Sequence, residues 1–529
     1  MSNPKSDLVI DRQDFDPKNY WYIHGKYYNL TNYMEKHPGG KFILEKTKGQ
    51  GDLSALYESY HAFSNIDNID KYLKTFEVKF NKPFTTLQNQ HEYKTDNYNI
   101  IYVPKNNIYD AYLNIAESFD PSPLEEEEED MIEKDSKQET ETDIQEIEQT
   151  QEIQNETQFD FTNYRILAQQ AKQLFPTRES IKANHEWYTL VIASLFTFFY
   201  SFYQGLFSSP QSLLQKFAFL LPFLSNPLKV ALLRTFFITL ASASWLGIGF
   251  NVMHDGSHYA IATDPKINHY ATKTWNAFNG WNALIWFYHH VQNHHTYTGI
   301  ENKDPDQDLY HPFQVTAYEK THFINTSLKN AHPYLFPIIF ILFPGHNLGQ
   351  GIVYLYSTFQ RKLWNFELPD VQHTPEFYDT YDISFFFLAL LAYENVILLG
   401  NGYWLLLYFT QTNFFYMFNV IFDHDLFENT VENKYHGKDW VKQQISHSGN
   451  FCNDNVFWTK WFGGINYQIE HHLFPNMSNT HYPTIAPLVK EYCQTNRIPY
   501  VHQPTFKEAI QSFVKSLYWH SMTQEQKRD

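Results

Sequence analysis

Histidines at short, repeated spacings mark three places in this chain of 529 residues where a metal could be held. In Gly463-Gly464-Ile465-Asn466-Tyr467-Gln468-Ile469-Glu470-His471-His472-Leu473-Phe474-Pro475, the paired histidines follow Gln468 by three and four residues. On a helix those three side chains share one face and can converge on one ion. Two other clusters precede it, His254-Asp255-Gly256-Ser257-His258 and His290-Val291-Gln292-Asn293-His294-His295, each with histidines four apart beside an apolar stretch. One such pair alone is commonly surface or core chemistry; three in one chain are hard to explain that way. His322, His332, His373 and His520 have no such spacing and are background.

A separate signal lies near the N-terminus, where His37-Pro38-Gly39-Gly40 is followed by His61 and preceded by the aromatic run Trp21-Tyr22-Ile23-His24-Gly25-Lys26-Tyr27-Tyr28-Asn29-Leu30. This region resembles a cytochrome b5 domain, with His37 and His61 at the two haem-ligand positions. A haem iron held by two imidazoles has no open position for oxygen, so it passes electrons and does little else. His24 receives no role.

The scaffold that positions these groups is only loosely bounded by composition. The chain is 43% hydrophobic, ordinary for a globular protein, and its mean hydropathy of −0.48 argues for a soluble one. That average misleads, because Leu124 to Asp160 holds sixteen acidic residues and two lysines, 14 of the 18 net negative charges. The remainder is near neutral, and no Lys/Arg stripe points to nucleic acid. Cys452 and Cys493 are too few for a disulfide framework and too distant for a thiolate metal site, which suits a cytosol-facing chain. A polar N-terminus without an apolar run predicts no cleaved signal peptide.

Tyr188 to Phe207, Lys229 to Val252, Ile383 to Leu399 and Tyr403 to Phe422 are apolar over the roughly 17–25 residues that cross a bilayer. Asn401-Gly402 makes the last two a hairpin. The first histidine cluster follows the second run and the third follows the fourth, so an even number of crossings puts all clusters on one side. Tyr334 to Phe343 and Ile352 to Phe359, split by Pro344-Gly345, read as interfacial or re-entrant helices, since one extra crossing would misplace the third cluster. Glu125 to Glu156, without Gly, Pro or aromatic residues, predicts a disordered tether; a solvated helix is the rival, opposed by like-charge crowding.

With these features the chain resembles the membrane fatty acid desaturases, and more closely the front-end group, which carries a fused cytochrome b5 domain and has Gln at the first position of the third histidine box. Tyr297-Thr298, Asp304-Pro305-Asp306, Ile485-Ala486-Pro487 and Ile498-Pro499-Tyr500 are also similar to that family, and the likeness covers residues 8–80 and 180–510. Neutral imidazoles suit iron, and eight histidines exceed what one ion can hold, so two ions are the economical reading. The resemblance implies a di-iron site held by His254, His258, His290, His294, His295, His471 and His472, with His424 added because related enzymes carry a ligand there. His289 would stand behind the ligands. Asp255, Asp304, Asp306 and Glu470 could accept ring N–H bonds or be caps and surface charges. Gln468 would tune the site more than hold it, by hydrogen-bonding a ligand or bound water.

The expected architecture is therefore multidomain: a small α+β haem domain (8–82), a connecting segment (83–123), an acidic linker (124–160) and an all-α membrane domain (161–529) with about four transmembrane helices. The expected activity is front-end acyl desaturation of the delta-5 or delta-6 type, on a fatty acyl lipid or acyl-CoA. No side chain can remove hydrogen from an unactivated carbon as an acid or base, so iron and O2 are required. Electrons would pass through haem b, recharged from NADH by a cytochrome b5 reductase, and the haem and box sites are expected to be separate. The acyl groove is expected beside Trp245, Trp281 and Trp286. The implied location is the endoplasmic reticulum membrane, with haem domain and boxes cytosolic. A sphingolipid long-chain-base desaturase or a fatty acid hydroxylase would use the same boxes. A non-catalytic electron carrier or lipid-binding membrane protein would lack iron.

Overall fold

The computed structural model describes residues 9–10, 15–80, 159–276, 281–300, 303–308, 345–363, 366–369, 375–432, 435 and 437–522. The connecting segment, all but the last two residues of the acidic linker, Tyr334 to Phe343, and His322, His332 and His373 lie outside them.

The N-terminal domain begins with a hairpin, Trp21–Ile23 against Lys26–Tyr28, in which Trp21 stands opposite Tyr28. His24 (φ 49°) and Gly25 (φ 76°) form its two-residue turn, where both central positions need positive φ. A parallel pair, Val9–Ile10 with Lys79–Phe80, ties the start of the domain to its end. Trp21 is buried and its Nε1–H donates to the Leu44 carbonyl at 3.0 Å, seating the hairpin on helix Lys41–Thr47. Helices Ser54–Tyr60 and Ile66–Leu73 complete this small α+β unit.

The remainder is helical. Thr162–Leu174 buries Tyr164, Leu167, Ala168 and Ala171, one face of a 3.6-residue repeat, against Tyr482–Asn496. His185–Phe207 and Asn226–Ser257 are long and apolar enough to cross a membrane, and they pack on each other. Phe196 (72% exposed), Ile192 (67%), Ile397 (68%) and Tyr403 (69%) turn large apolar side chains outward, as a lipid-facing surface would. The expected hairpin is present: Pro375–Ala392 continues through wider turns to Leu398, and after Gly400 (φ 64°) the chain returns as Gly402–Val420. The Asn401 amide donates to the Leu206 carbonyl at 2.7 Å, joining this turn to the end of the first span.

Among the described residues, two of the four expected spans pass the length and hydropathy test. The other two fall short for readable reasons. The third helix starts in a polar stretch, Pro375-Glu376-Phe377-Tyr378-Asp379, and its apolar part is the shorter Ser384–Leu398. The fourth carries Gln411, Thr412, Asn413 and Asn419. Ile352 to Phe359 lies within one helix, Gly345–Gln360.

The first two histidine clusters ride on widened helical turns rather than on plain α-helix. Asn226–Ile248 passes into π-helix over Gly249–His254 before one last α-turn, Asp255–Ser257. Ala283–Trp286 does the same over Phe287–His294, then His295–Tyr297. Such bulges re-aim side chains and concentrate at functional sites.

Candidate metal centre

The three clusters come together in the buried interior as two adjacent groups of ring nitrogens. His254, His258, His290 and His471 form the first, with ligand atoms all within 4.8 Å of one another. His295 joins it, its Nε2 lying 3.2 Å from that of His290 and 3.1 Å from that of His471. His294, His424 and His472 form the second under the same limit. The Gln468 amide nitrogen lies 3.0 Å from His424 Nε2 and 3.2 Å from His472 Nε2. The rings of His295 and His472 stack at 4.2 Å between centroids, so the two groups abut.

This corrects one expectation. Gln468, His471 and His472 do not converge on a single ion. Neighbouring residues on a helix are about 100° apart, so on Gln468–Leu473 the two histidines point to opposite groups, and Gln468 pairs with His472 one turn on. The turn before this helix carries Gly463 (φ 67°) and Gly464 (φ 64°), and a Cβ on Gly463 would stand 2.7 Å from Phe250 Cβ.

Four of the outward ring nitrogens are anchored by partners that leave inward nitrogens facing one another, whereas Nδ1 of His254 and of His295 is buried without a hydrogen-bond partner. Asp304 holds His294 Nδ1 at 2.9 Å, Tyr482 holds His471 Nδ1 at 3.0 Å, Gln444 holds His472 Nδ1 at 2.9 Å, and the His447 carbonyl holds His424 Nδ1 at 2.7 Å. His289 stands behind, bonded to Asp306 at 2.6 Å and to the Tyr354 hydroxyl at 2.7 Å. Of the four acids, Asp304 and Asp306 meet rings. Asp255 instead accepts from Asn479 at 3.0 Å, and Glu470 from Asn450 and Tyr500 at 2.8 Å each. Gln444, Tyr482 and His447 carry no spacing signal, which is why the clusters alone do not reveal them.

Burial holds His290, His295, His471 and His472 well below the usual imidazole range, with the neighbouring rings adding to it, so they are neutral with lone pairs to give. For His294, burial opposes charge but Asp304 and Asp306 outweigh it and lift the ring to about 9. Neutral rings whose Nε2 atoms face at 3.1–3.2 Å cannot all satisfy one another, since each contact needs a donor. Cations between them would use every lone pair, so the donor set fits metal ions bound by imidazole.

A cavity of about 70 Å³ reaches this centre from the apolar side, lined by Gly249, Phe250, Trp275, Trp281, Trp286 and Tyr416 as well as the histidines. It has room for a few methylenes rather than a whole chain. Trp281 and Trp286 line it as expected; Trp245 does not, and stacks behind Trp275 at 5.0 Å instead.

In the N-terminal domain, His37 and His61 face each other across a slot of about 350 Å³, with ring centroids 6.3 Å apart. That spacing suits two imidazoles binding one iron from opposite sides at about 2 Å each. His61 Nδ1 is held by the Tyr57 carbonyl at 2.7 Å and His37 Nδ1 by that of Gly40 at 3.3 Å, so the other nitrogens are free to face the slot. A Cβ on Gly39 would come within 2.7 Å of the His37 ring, so glycine is needed there. Burial, then the nearby His61, pushes His37 down to about 4.

The two sites, expected from the sequence to be separate, are distinct groups of histidines that stand in contact through one residue. The Tyr60 hydroxyl, next to His61, lies 3.0 Å from His258 Nδ1. Arg165 on Thr162–Leu174 binds Glu58 at 2.5 Å and Asp70 at 2.9 Å, and Phe42 stacks on His269 at 4.0 Å. His24 gains a part here through its 2.8 Å contact with Glu58.

Comparison with known proteins gives a match for each of the two regions. Residues 229–504 match the model of the fatty acid desaturase family, and residues 10–79 that of the cytochrome b5-like haem/steroid binding domain. The first match covers more than half of the chain, which therefore belongs to the fatty acid desaturase family and is an oxidoreductase with a fused cytochrome b5-like domain. It is similar to an acyl-lipid (8-3)-desaturase of Mortierella alpina, 27% identical over 54% of this chain and 64% of the relative. An acyl-lipid (8-3)-desaturase B of Dictyostelium discoideum is 23% identical over 98% of this chain and 91% of the relative. An sn-1 linoleoyl-lipid 6-desaturase of Synechocystis is 29% identical over 54% and 78%.

Proposed function

We propose that this chain is a front-end acyl-lipid desaturase that inserts a cis double bond at the delta-5 position of a polyunsaturated acyl chain, between an existing double bond and the carboxyl end. The observation that carries the reading is the meeting of two buried histidine groups with a docked domain that presents His37 and His61 across a slot. Its likeness over nearly the full length to a Dictyostelium acyl-lipid (8-3)-desaturase, and a relative there named a Delta(5) fatty acid desaturase A, support the position and the lipid carrier. His254, His258, His290, His295 and His471 would hold one iron and His294, His424 and His472 the other. Iron, when bound, supplies the oxidising power from O2 that breaks an unactivated C–H bond, and haem, when bound between His37 and His61, supplies electrons one at a time.

The chain's own residues do the rest. Asp304 fixes the tautomer of His294, Tyr482 that of His471 and Gln444 that of His472, so each ring offers a fixed lone pair. Gln468 stands inside the second group, and its Oε1 is a buried atom without a hydrogen-bond partner. Turning the amide over would direct that oxygen at the ring nitrogens. Trp281 and Trp286 wall the cavity and exclude water where the acyl chain reacts. Four spans with the boxes and haem domain on the cytosolic face of the endoplasmic reticulum, served by an NADH-dependent reductase, complete the reading.

The test is expression in yeast with a panel of polyunsaturated acids, locating the new double bond by mass spectrometry. A delta-5 product in phospholipid is expected. A delta-6 product would move the position within the same reading, whereas a hydroxylated or methyl-end product would overturn it.

A further inference from the structure

The slot that holds His37 and His61 is not walled by the N-terminal domain alone. Arg178, Lys182, Tyr259, Pro265 and Asn476 of the desaturase domain line it as well. Among the described residues lining it, Arg178 and Lys182 are the basic ones apart from the two histidines; burial, then the neighbouring Arg178, pushes Lys182 down to about 7, so Arg178 is the standing cation. The described residues of the N-terminal domain contribute no Lys, Arg, Asp or Glu to the lining. Contact here is close: a Cβ on Gly40, which follows the histidine loop, would stand 2.7 Å from Pro265 Cβ. Lys182 is buried and donates to the carbonyls of Tyr259 at 2.7 Å and Asn476 at 2.9 Å, while the Asn476 amide donates to the Tyr60 carbonyl at 2.8 Å. One continuous network thus runs from the desaturase domain to the helix that ends at His61.

Haem carries two carboxylates, and an anion entering an apolar slot settles where the cations are. Resting on the haem reading of His37 and His61, we propose that the haem site is a composite of both domains, in which Arg178, with Lys182 beside it, binds the haem propionates, so that haem binding and seating of the domain over the histidine boxes stabilise each other. Arg178 lines the same slot as His37 and His61, so a carboxylate carried on a group held between the two rings meets its guanidinium at the wall.

The test uses the full-length chain, prepared without haem and reconstituted either with haem or with haem dimethyl ester, whose carboxylates are masked. Release is followed by transfer to excess apomyoglobin. The native chain should release the ester on the order of ten-fold faster than haem, the effect of losing one charge-assisted hydrogen bond. Arg178→Gln should release haem several-fold faster than the native chain, toward the ester's rate, leave release of the ester unchanged, and lower the haem midpoint potential. Equal release of haem and ester from the native chain, or native release from Arg178→Gln, would overturn the proposal. A native chain that forms no bis-imidazole spectrum with haem would instead remove the haem reading beneath it. Lys182→Met, whose lysine also holds two carbonyls, is a second variant, and Arg178→Lys should restore slow release in part.

Discussion

The Tyr60 hydroxyl lies 3.0 Å from Nδ1 of His258, so a residue of the N-terminal domain orients a histidine of the first metal group. Tyr60 also lines the slot between His37 and His61. If His258 gives its Nε2 to iron, its Nδ1–H donates to the phenolic oxygen, the kind of outer contact whose loss costs ~10–100-fold in metal affinity or activity. Tyr60→Phe should lower bound iron or turnover by that order and slow reoxidation of prereduced haem, with an unchanged haem spectrum. Iron content, rapid-mixing spectra and product yield read this together. Native values in all three would mean that the two sites are independent after all.

Docking of the N-terminal domain rests on a carboxylate that is 1% exposed. Burial alone would raise Glu58, but Arg165 and His24 outweigh it and hold it below the usual 4.5. The ionised form is therefore the stabilising one: its contribution is complete above pH 4.5 and is lost as pH falls through the lowered value. Arg165→Met strands the charge, which costs ~3 kcal/mol, the low end for a broken buried pair because a third of Arg165 meets water and His24 still reaches Glu58. Proteolytic release of the N-terminal domain at pH 7 should rise in the variant. The acid-induced release expected of the native chain should be blunted in it.

Much of this centre is legible in the sequence because metal ligation leaves a spacing: His254 with His258, and His290 with His294. What spacing could not say is how ligands divide. His471 and His472 are neighbours in the chain but belong to different groups, because consecutive residues on a helix diverge. The π-helical turns at Gly249–His254 and Phe287–His294 re-aim the first two clusters without any residue that announces them. Partners such as Gln444 and Tyr482 come from distant segments and are fixed by tertiary packing. The same holds for the docked domain: Arg165 and Glu58 are unremarkable singly, and only the fold brings them to 2.5 Å. Trp245 lies behind the expected groove for a related reason, since aromatic residues in apolar helices all look alike until packing separates Trp275 in front from Trp245 behind.

Gly249 sits where the second span widens, and a Cβ there would come within 2.5 Å of the Trp275 ring. That indole is backed by Trp245 and cannot retreat without repacking. Gly249→Ala should push Trp275 into the cavity that both residues line, narrowing the path of the acyl chain. The expected outcome is a several-fold fall in conversion of long polyunsaturated acids relative to shorter ones, with iron content unchanged. Equal loss for all chain lengths would assign the glycine to folding rather than to the groove.

Gln468 shares the second group with His294, His424 and His472, within 3.0–3.2 Å of two of the three ring nitrogens. An amide oxygen binds iron less well than imidazole, but it can accept a hydrogen bond or take a weak coordination position that imidazole would fill too firmly. Three histidines remain in the group when Gln468 is lost, so Gln468→Ala should keep most of the iron while turnover drops sharply. His472→Ala, by contrast, removes one of three imidazoles and should lose iron and activity together. Gln468→His supplies a stronger ligand at the same place, so it should keep iron at least as well as the native chain without restoring native turnover. Iron analysis alongside product yield separates these cases. Near-native turnover of Gln468→Ala on its best acid would reduce this residue to packing.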